Sequence, residues 1–560
     1  MSLSWPLSSV NSHSTVVNRK DEMIRRSADF PPSIWGDYFL NHSVDQTVLD
    51  KWAKRVNELK GSVKMMLRDA KGSDVHEMGL IDTLQLLGLT YHFDDEIEAA
   101  MRRIHDSYAE IVQQDDLHLV ALCFRLLRQH GYNVPADIFN KFKTNYGSFD
   151  SNLSTNVKGL LSLYEASFFS MRGESILDEA VVFSREQLRA TMPKLDSVLS
   201  KRVDHALELP LLKRVPRVEA RDYISFYQES DDCNELILEL AKLDFNLLQA
   251  LQRTELSELS RWWKDLDLAR KLHFAKDRMV EAYLWPLGVN AEPSYSRSRI
   301  LTTKILAIVS MIDDIYDTYA TFEELQPFTD VIQRWDMLGI NRLPEYMKVA
   351  ILGLFNCVKG IEEELALRGR SDRVHYLKEA VKSLSRAYFK ESGWHNNGYS
   401  PGVEECLSVT SITSTHPLLI TLFFLDLEAI ATKQVFDWLL SEPKLVTNTG
   451  LICRIIDDLE SYQFERKRDH VPSVVQFYAI EKGVSEEEAC VKLRERVAIA
   501  WKDITQASLE PSPLPWSLTT LVANMSRVME VYYLHGDGYT FPTEKTEKIV
   551  TSLLIDPVPI

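Results

Sequence analysis

Apolar positions recur at helical spacing along most of this chain. Between Glu235 and Arg253 the sequence reads ELILELAKLDFNLLQALQR, with Leu236, Leu240, Leu243, Leu247 and Leu251 three or four residues apart. Such a stripe forms one face of an amphipathic helix and buries it against a neighbour. Similar patterns occur at Met65–Ala70, Thr83–Leu89, Leu117–His130 and Val157–Phe169, with no fixed-period repeat and no low-complexity segment. Turn-making residues are scarce, with 21 Gly and 21 Pro in 560 residues. Few turns mean few, long elements, which favours an all-α fold over a many-stranded sandwich or propeller.

A chain of 560 residues exceeds what one hydrophobic core supports, so two domains are expected. The stretch LPLLKRVPRVEARDYISFYQESDD mixes Pro, charge and short apolar runs and places a join near residue 225. The divisions are a tail at 1–24, a helical domain at 25–225 and a second helical domain at 226–560. The tail is Ser-rich and has no acid before Asp21, faintly like a transit peptide. It is short and has no Arg before Arg19, so it reads as a disordered tail.

Charge and cysteine narrow the partners. Lys plus Arg number 64 against 81 Asp plus Glu, a net −17, which argues against nucleic acid. An anionic substrate stays open, because metal ions or clustered Arg can invert the sign of one site. Cys123, Cys233, Cys357, Cys406, Cys453 and Cys490 are scattered without a CxxC pair, as reduced cytosolic thiols would be. The most apolar runs, Leu418–Leu425 and Ile305–Ile312, are far shorter than the roughly 20 residues of a membrane span.

Two acidic constellations could carry chemistry. The first, Asp313-Asp314-Ile315-Tyr316-Asp317, ends the apolar run ILTTKILAIVSMI without a helix breaker. On one continuous helix, Asp313 and Asp317 stand a turn apart on one face, and Ile305, Ile308, Ile312, Tyr316 and Tyr319 share a flank. Clustered carboxylates repel unless neutralised, and a hard cation with oxygen ligands, Mg²⁺ above all, does this. A solvated acidic helix end would carry the same letters. The second, Asp457-Asp458-Leu459-Glu460-Ser461-Tyr462-Gln463-Phe464-Glu465, ends the run GLICRII. Asp457, Ser461 and Glu465 form one line along a helix, an oxygen chelate for another hard cation, with Arg454 on the same face. A cation beside such a line points to an anion, most simply a phosphate. An ordinary exposed helix with i,i+4 pairs is the rival reading. No P-loop, G-x-G-x-x-G, HExxH or G-x-S-x-G competes.

The pair DDIYD and DDLESYQFE, preceded by RWWKDLDLARKLHFAKDRMVEAYLW, closely resembles plant class I terpene synthases, and the resemblance covers nearly the whole chain. Arg25-Arg26, eight residues and then Trp35 resemble that family's N-terminal signature. The resemblance implies two all-helical domains: a C-terminal class I domain at 226–560 that is catalytic, and an N-terminal class II cyclase-like α-barrel at 25–225 that is vestigial. The absence of DxDD agrees with that loss.

By match, Asp313 and Asp317, with Asp314 in support, hold two Mg²⁺ ions, and Asp457, Ser461 and Glu465 hold a third; Mn²⁺ is the alternative metal. Arg278 and Arg454 match diphosphate-binding cations, with Arg468 on a closing loop. Lys276 departs from the family's usual Arg, which keeps the charge but loses the fork. Trp285, Tyr532, Asp537 and Tyr539 match pocket and lid positions that steer a carbocation, while Arg25 and Arg26 cap the pocket. Trp262 and Trp263 are read as structural. In Ser411–Pro417, Pro417 is expected to kink a helix and free carbonyls near Ser414 and Thr415; a plain inter-helix loop fits equally. His416 is read as packed or exposed.

The implied enzyme is a carbon–oxygen lyase that ionises farnesyl diphosphate and cyclises the cation to a sesquiterpene. The short segment before Arg25 favours a cytoplasmic enzyme, and a monomer is expected. The alternatives are a monoterpene or acyclic-alcohol synthase, a chain-elongating prenyltransferase, or a non-catalytic helical scaffold. Product identity is not written in any short motif.

Overall fold

The computed structural model describes Arg25, residues 30–41, 45–427, 430–465, 473–512 and 514–560, with backbone only at 463–465. The expected tail at 1–24, Arg26, Arg468 and the Glu465 side chain lie outside the described residues. Among the described residues there is no strand, only two isolated bridges, Lys143 with Phe149 and Leu534 with Gly536. The all-α expectation holds.

In the N-terminal half, helix Leu117–Gln129 is apolar nearly all round and packs against Val157–Ser167, which in turn packs on Ser175–Thr191. The amphipathic helix Gln46–Asp69 packs instead on the long helix Glu235–Leu266 of the C-terminal half. One hydrophobic core therefore runs through both halves. The expected join at residue 225 falls inside the helix Pro216–Gln228, and the nearest interruption is at 229–234.

The C-terminal half is a bundle around a central space. Ser296–Asp314 packs on Met279–Val289 and His416–Leu425, while Lys444–Glu465 packs on Val403–Thr413, Glu486–Leu509 and Trp516–Tyr532. Gly450 sits where Lys444–Glu465 crosses Val403–Thr413. A Cβ there would meet the Ser411 carbonyl oxygen at 2.5 Å, so only glycine permits that approach. A buried polar knot ties three helices. Arg299 forks onto Glu255 at 2.6 and 2.9 Å, and the Tyr283 hydroxyl donates to the same carboxylate at 2.7 Å.

The stretch Val403–Leu425 is apolar and long enough to cross a membrane by composition, but most of it is buried inside the bundle. It is also not one helix. Val403–Thr413 and His416–Leu425 are separated at Ser414-Thr415, with Thr415 in the left-handed region at φ 65°. The expectation that Pro417 kinks a helix is corrected. Pro417 occupies the first turn of the second helix, where no N–H is required, and Thr415 makes the break.

Candidate active site

The first acidic motif does not sit on a continuous α-helix. Ser296–Asp314 passes into a single turn of π-helix at Ile315–Tyr319. Such a turn inserts an extra residue and often marks functional sites. The Tyr316 hydroxyl fixes it, 2.8 Å from Thr329 Oγ1 and 3.0 Å from Ser385 Oγ. Tyr316 is thereby buried, while Tyr319 stacks on Phe274 with ring centroids 3.7 Å apart.

The three aspartates diverge in environment. Burial, with the charges of Asp317 and Asp314, pushes the Asp313 carboxyl well up, against Arg278 and a hydrogen bond from Tyr388. Asp314 is buried and fully engaged. It accepts from Arg278 Nη1 at 2.9 Å, from Arg278 Nη2 at 3.3 Å and from the Lys276 amide at 2.9 Å. Asp314, expected in support of the metal ligands, anchors with both oxygens the loop that carries Arg278. Lys276, which the resemblance set among the substrate-binding cations, turns elsewhere. Its ammonium donates to the Pro31 carbonyl at 2.7 Å and lies 3.5 Å from that of Pro32, so it holds the N-terminal segment instead of facing a substrate. Trp263, read as structural, donates to Asp277 at 3.1 Å in this same loop, and Lys304 lies over the Trp262 ring.

The second motif lies on Lys444–Glu465. Arg454 pairs with both Asp457 and Asp458, and Asp458 accepts from the Val474 amide at 2.5 Å. Burial pushes the Asp457 carboxyl up to about 6, as do Asp537 and Asp458, while Arg454 and a Tyr533 hydrogen bond oppose the rise. One turn on, the Ser461 hydroxyl is buried and has no hydrogen-bond partner among the described residues. A buried hydroxyl without a partner is costly and signals a ligand or ion. Among the described residues no three acidic, His or Cys side chains close a metal cage.

Between these motifs lies an aromatic lining. Trp285 meets Tyr539 and His416 edge-to-face, at 5.9 and 5.5 Å between ring centroids, and its buried indole N–H is unpartnered. Ser310 and the Tyr539 hydroxyl are 2.5 Å apart, and Arg278 lies over the Tyr539 ring at 5.5 Å. Tyr532 is buried, and its hydroxyl is spent on the Leu284 carbonyl at 3.0 Å. Asp537 accepts from the Tyr539 and Thr540 amides at 3.0 and 2.9 Å and so shapes the loop that carries Tyr539. Gly538 is obligatory in that loop, since a Cβ would sit 2.4 Å from the Tyr532 carbonyl oxygen. His416 is fully buried, and burial pushes its imidazole down to about 4, so it is neutral.

Arg25, Phe30 and Trp35 reach onto the C-terminal half beside this lining. Arg25 forks onto Glu324 with two 2.8 Å contacts and lies over Tyr319 and Tyr346. The Trp35 indole donates to Glu281 at 2.8 Å, and Phe30 packs against both Arg278 and Phe541.

Sequence reasoning missed Glu391, Tyr388 and Tyr533. Glu391 lies on Val374–Asn397, outside both motifs. Burial pushes it up to about 7, reinforced by Asp317 and opposed by Arg454 and Thr413. No spacing or motif in the sequence marks it.

Residues 34–207 match the terpene synthase N-terminal domain, and residues 264–503 match the terpene synthase family metal-binding domain. The chain is 45 % identical over 544 residues to (-)-germacrene D synthase of Vitis vinifera, covering 97 % of this chain and 98 % of that one. It is 44 % identical to sesquiterpene synthase 2 of Toona sinensis over the full length of both. Isoprene synthase from grey poplar, solved with three Mg²⁺ ions and dimethylallyl-S-thiolodiphosphate, superposes with a TM-score of 0.86 at 36 % identity, covering 91 % of this chain and 98 % of that one. Two acidic helix ends facing an aromatic lining, on a two-part helical chain matched along its length, make this protein a member of the terpene synthase family, with a divalent-metal-binding catalytic domain.

Proposed function

We propose that the protein ionises farnesyl diphosphate with Mg²⁺ and cyclises the cation to a sesquiterpene, releasing diphosphate. The observation that carries this reading is the Ser461 hydroxyl, buried without a partner one turn beyond Asp457. Asp313 and Asp317 from one helix, and Asp457, Ser461 and Glu465 from the other, would hold three Mg²⁺ ions, whose chemistry there is to neutralise the diphosphate as its bond to the allylic carbon breaks.

The chain's own residues do the rest. Arg278 and Arg454, held in place by Asp314 and Asp457, keep positive charge beside the leaving group. The C–O electron pair leaves with diphosphate, and the allylic cation is left against the aromatic lining that Trp285 and Tyr539 form. Cation–π attraction there is worth up to about 2 kcal/mol once water is excluded. The Arg25 and Trp35 contacts close the segment that excludes water. A distal double bond of the chain closes on the cation, and the ring cation then passes a proton to the released diphosphate, giving a cyclic olefin.

Incubating the purified protein with farnesyl or geranyl diphosphate, with Mg²⁺ or EDTA, tests this by gas chromatography. Cyclic C15 hydrocarbon from farnesyl diphosphate, absent with EDTA, is expected. A faster reaction on geranyl diphosphate, or a longer diphosphate when isopentenyl diphosphate is added, would overturn it.

A further inference from the structure

Helix Trp516–Tyr532 has two differently employed faces. Met529 and Tyr532 look toward the aromatic lining: Met529 Sδ lies 3.4 Å from Cys453 Sγ, and Tyr532 binds the Leu284 carbonyl. Trp516, Thr520, Ala523 and Arg527 lie on a separate face at i, i+4, i+7 and i+11. With Trp501 they close a cavity of about 240 Å³ against the N-terminal half, whose Gln85, Arg125 and Phe169 form the opposite wall.

Four guanidinium groups border this cavity, and three are paired with acids. Arg125 pairs with Asp82 at 2.8 Å, Arg128 with Glu174 at 2.5 Å, and Arg214 with Glu165 and Glu219 at 2.8 and 3.0 Å. Arg527 differs. Its Nε donates to the Leu212 carbonyl at 2.7 Å and its Nη1 to the Asn524 amide oxygen, and no carboxylate pairs with it among the described residues. Burial therefore pushes it down to about 10, with no nearby acid to oppose the shift. An enclosed charge without a counter-charge is expensive to maintain, and an anion would relieve it. The same cavity holds an unpartnered acceptor, Gln85 Oε1, and an unpartnered donor, Arg125 Nε.

Trp501, Trp516 and Phe169 give the cavity an apolar, stiff side. Trp516 packs over Gly131, which holds φ at 84°, and whose Cβ, were there one, would lie 3.0 Å from the indole. The Trp501 N–H is spent on Glu530 at 2.7 Å, which fixes that ring. Roughly 150 Å³ suffices for benzene in a protein interior. The cavity is larger, so a charged head and a chain of about six carbons fit.

We propose that this cavity between the two halves binds a small amphipathic organic anion, its carboxylate or phosphate head on Arg527 and its short apolar tail between Trp501, Trp516 and Phe169. The site is separate from the metal motifs and shares with the aromatic lining only the helix Trp516–Tyr532, which a ligand here would brace from behind.

Isothermal titration of the full chain in EDTA, with hexanoate, hexyl phosphate and the neutral control hexanol, tests it. At least one anion should bind, at least tenfold more tightly than hexanol, and comparing the two anions identifies the head group. Arg527→Gln should weaken that anion at least tenfold. Ala523→Phe, which fills the space and leaves Arg527 in place, should also abolish binding. A crystal soaked in 6-bromohexanoate needs no variant, and bromine should appear between Trp501 and Trp516. No anion binding, equal binding of hexanol, unchanged affinity in both variants, or bromine only elsewhere would each overturn the proposal.

Discussion

Arg278 and Asp314 form a bidentate ion pair, Nη1 to Oδ2 at 2.9 Å and Nη2 to Oδ1 at 3.3 Å, with both side chains buried. The pair assigns neighbouring aspartates opposite tasks. Asp314→Asn strands the buried guanidinium, and losing one partner of such a pair costs about 3–5 kcal/mol. Asp313→Asn removes a carboxylate that its neighbours repel, so stability without metal is kept or raised. Thermal melting in EDTA should show the first variant lowered and the second not, while both lose at least tenfold in turnover.

The Ser461 hydroxyl has no protein partner to lose among the described residues. Ser461→Ala should therefore leave the melting temperature in EDTA within about 1 °C of wild type, since no hydrogen bond is broken. Its Mg²⁺ requirement should rise at least tenfold in a titration of diphosphate release. A large drop in stability with an unchanged Mg²⁺ requirement would make the hydroxyl structural.

Trp35 reaches across to Glu281, whose other oxygen is buried and unpartnered. Trp35→Phe keeps most of the ring and removes the N–H. The N-terminal segment should then sit less tightly, and water should intercept more of the cation. The expected readout is a higher ratio of terpene alcohol to hydrocarbon, with KM changed less than that ratio.

Gly450 allows the metal-bearing helix to touch Ser411. Gly450→Ala forces the two helices apart at a backbone atom that cannot swing away, at a cost of about 1–3 kcal/mol. Urea unfolding should shift by that amount, and the movement of Asp457 and Ser461 should raise the Mg²⁺ requirement in parallel.

Burial alone would push the Glu219 carboxyl up, but Arg214 at 3.0 Å and His205 at 2.7 Å hold it down at about 2. Its ordinary value is 4.5. A carboxyl lowered on folding stabilises above its unfolded value and loses that contribution as pH falls toward its folded one. Stability amounting to about 3 kcal/mol should be lost between pH 4.5 and 2. Glu219→Gln should start lower and lack this loss, as urea midpoints across that range would show.

Helices, the two acidic motifs and the family were legible because each is written in local spacing. The stripe from Leu236 to Leu251 and the line Asp457–Ser461–Glu465 depend only on 3.6-residue periodicity. What was not legible depends on tertiary partners. Nothing in KDR says that Lys276 turns to the Pro31 carbonyl while Arg278 takes Asp314. Nothing in DDIYD announces a π turn, which is fixed by Thr329 and Ser385 from other helices. Glu391 enters the site by packing alone. Pro417 draws the eye to this break, but the chain breaks two residues earlier, at a left-handed Thr415 that few sequences declare.

The helix Glu235–Leu266 bears on how small this enzyme could be made. It carries buried residues toward the catalytic bundle and also packs against Gln46–Asp69 from the other half. A gene fragment beginning at residue 226 would turn that second apolar surface to water. Such a fragment would be recovered in inclusion bodies, and any miniaturised catalyst must either retain the N-terminal half as scaffolding or repaint that surface with polar side chains.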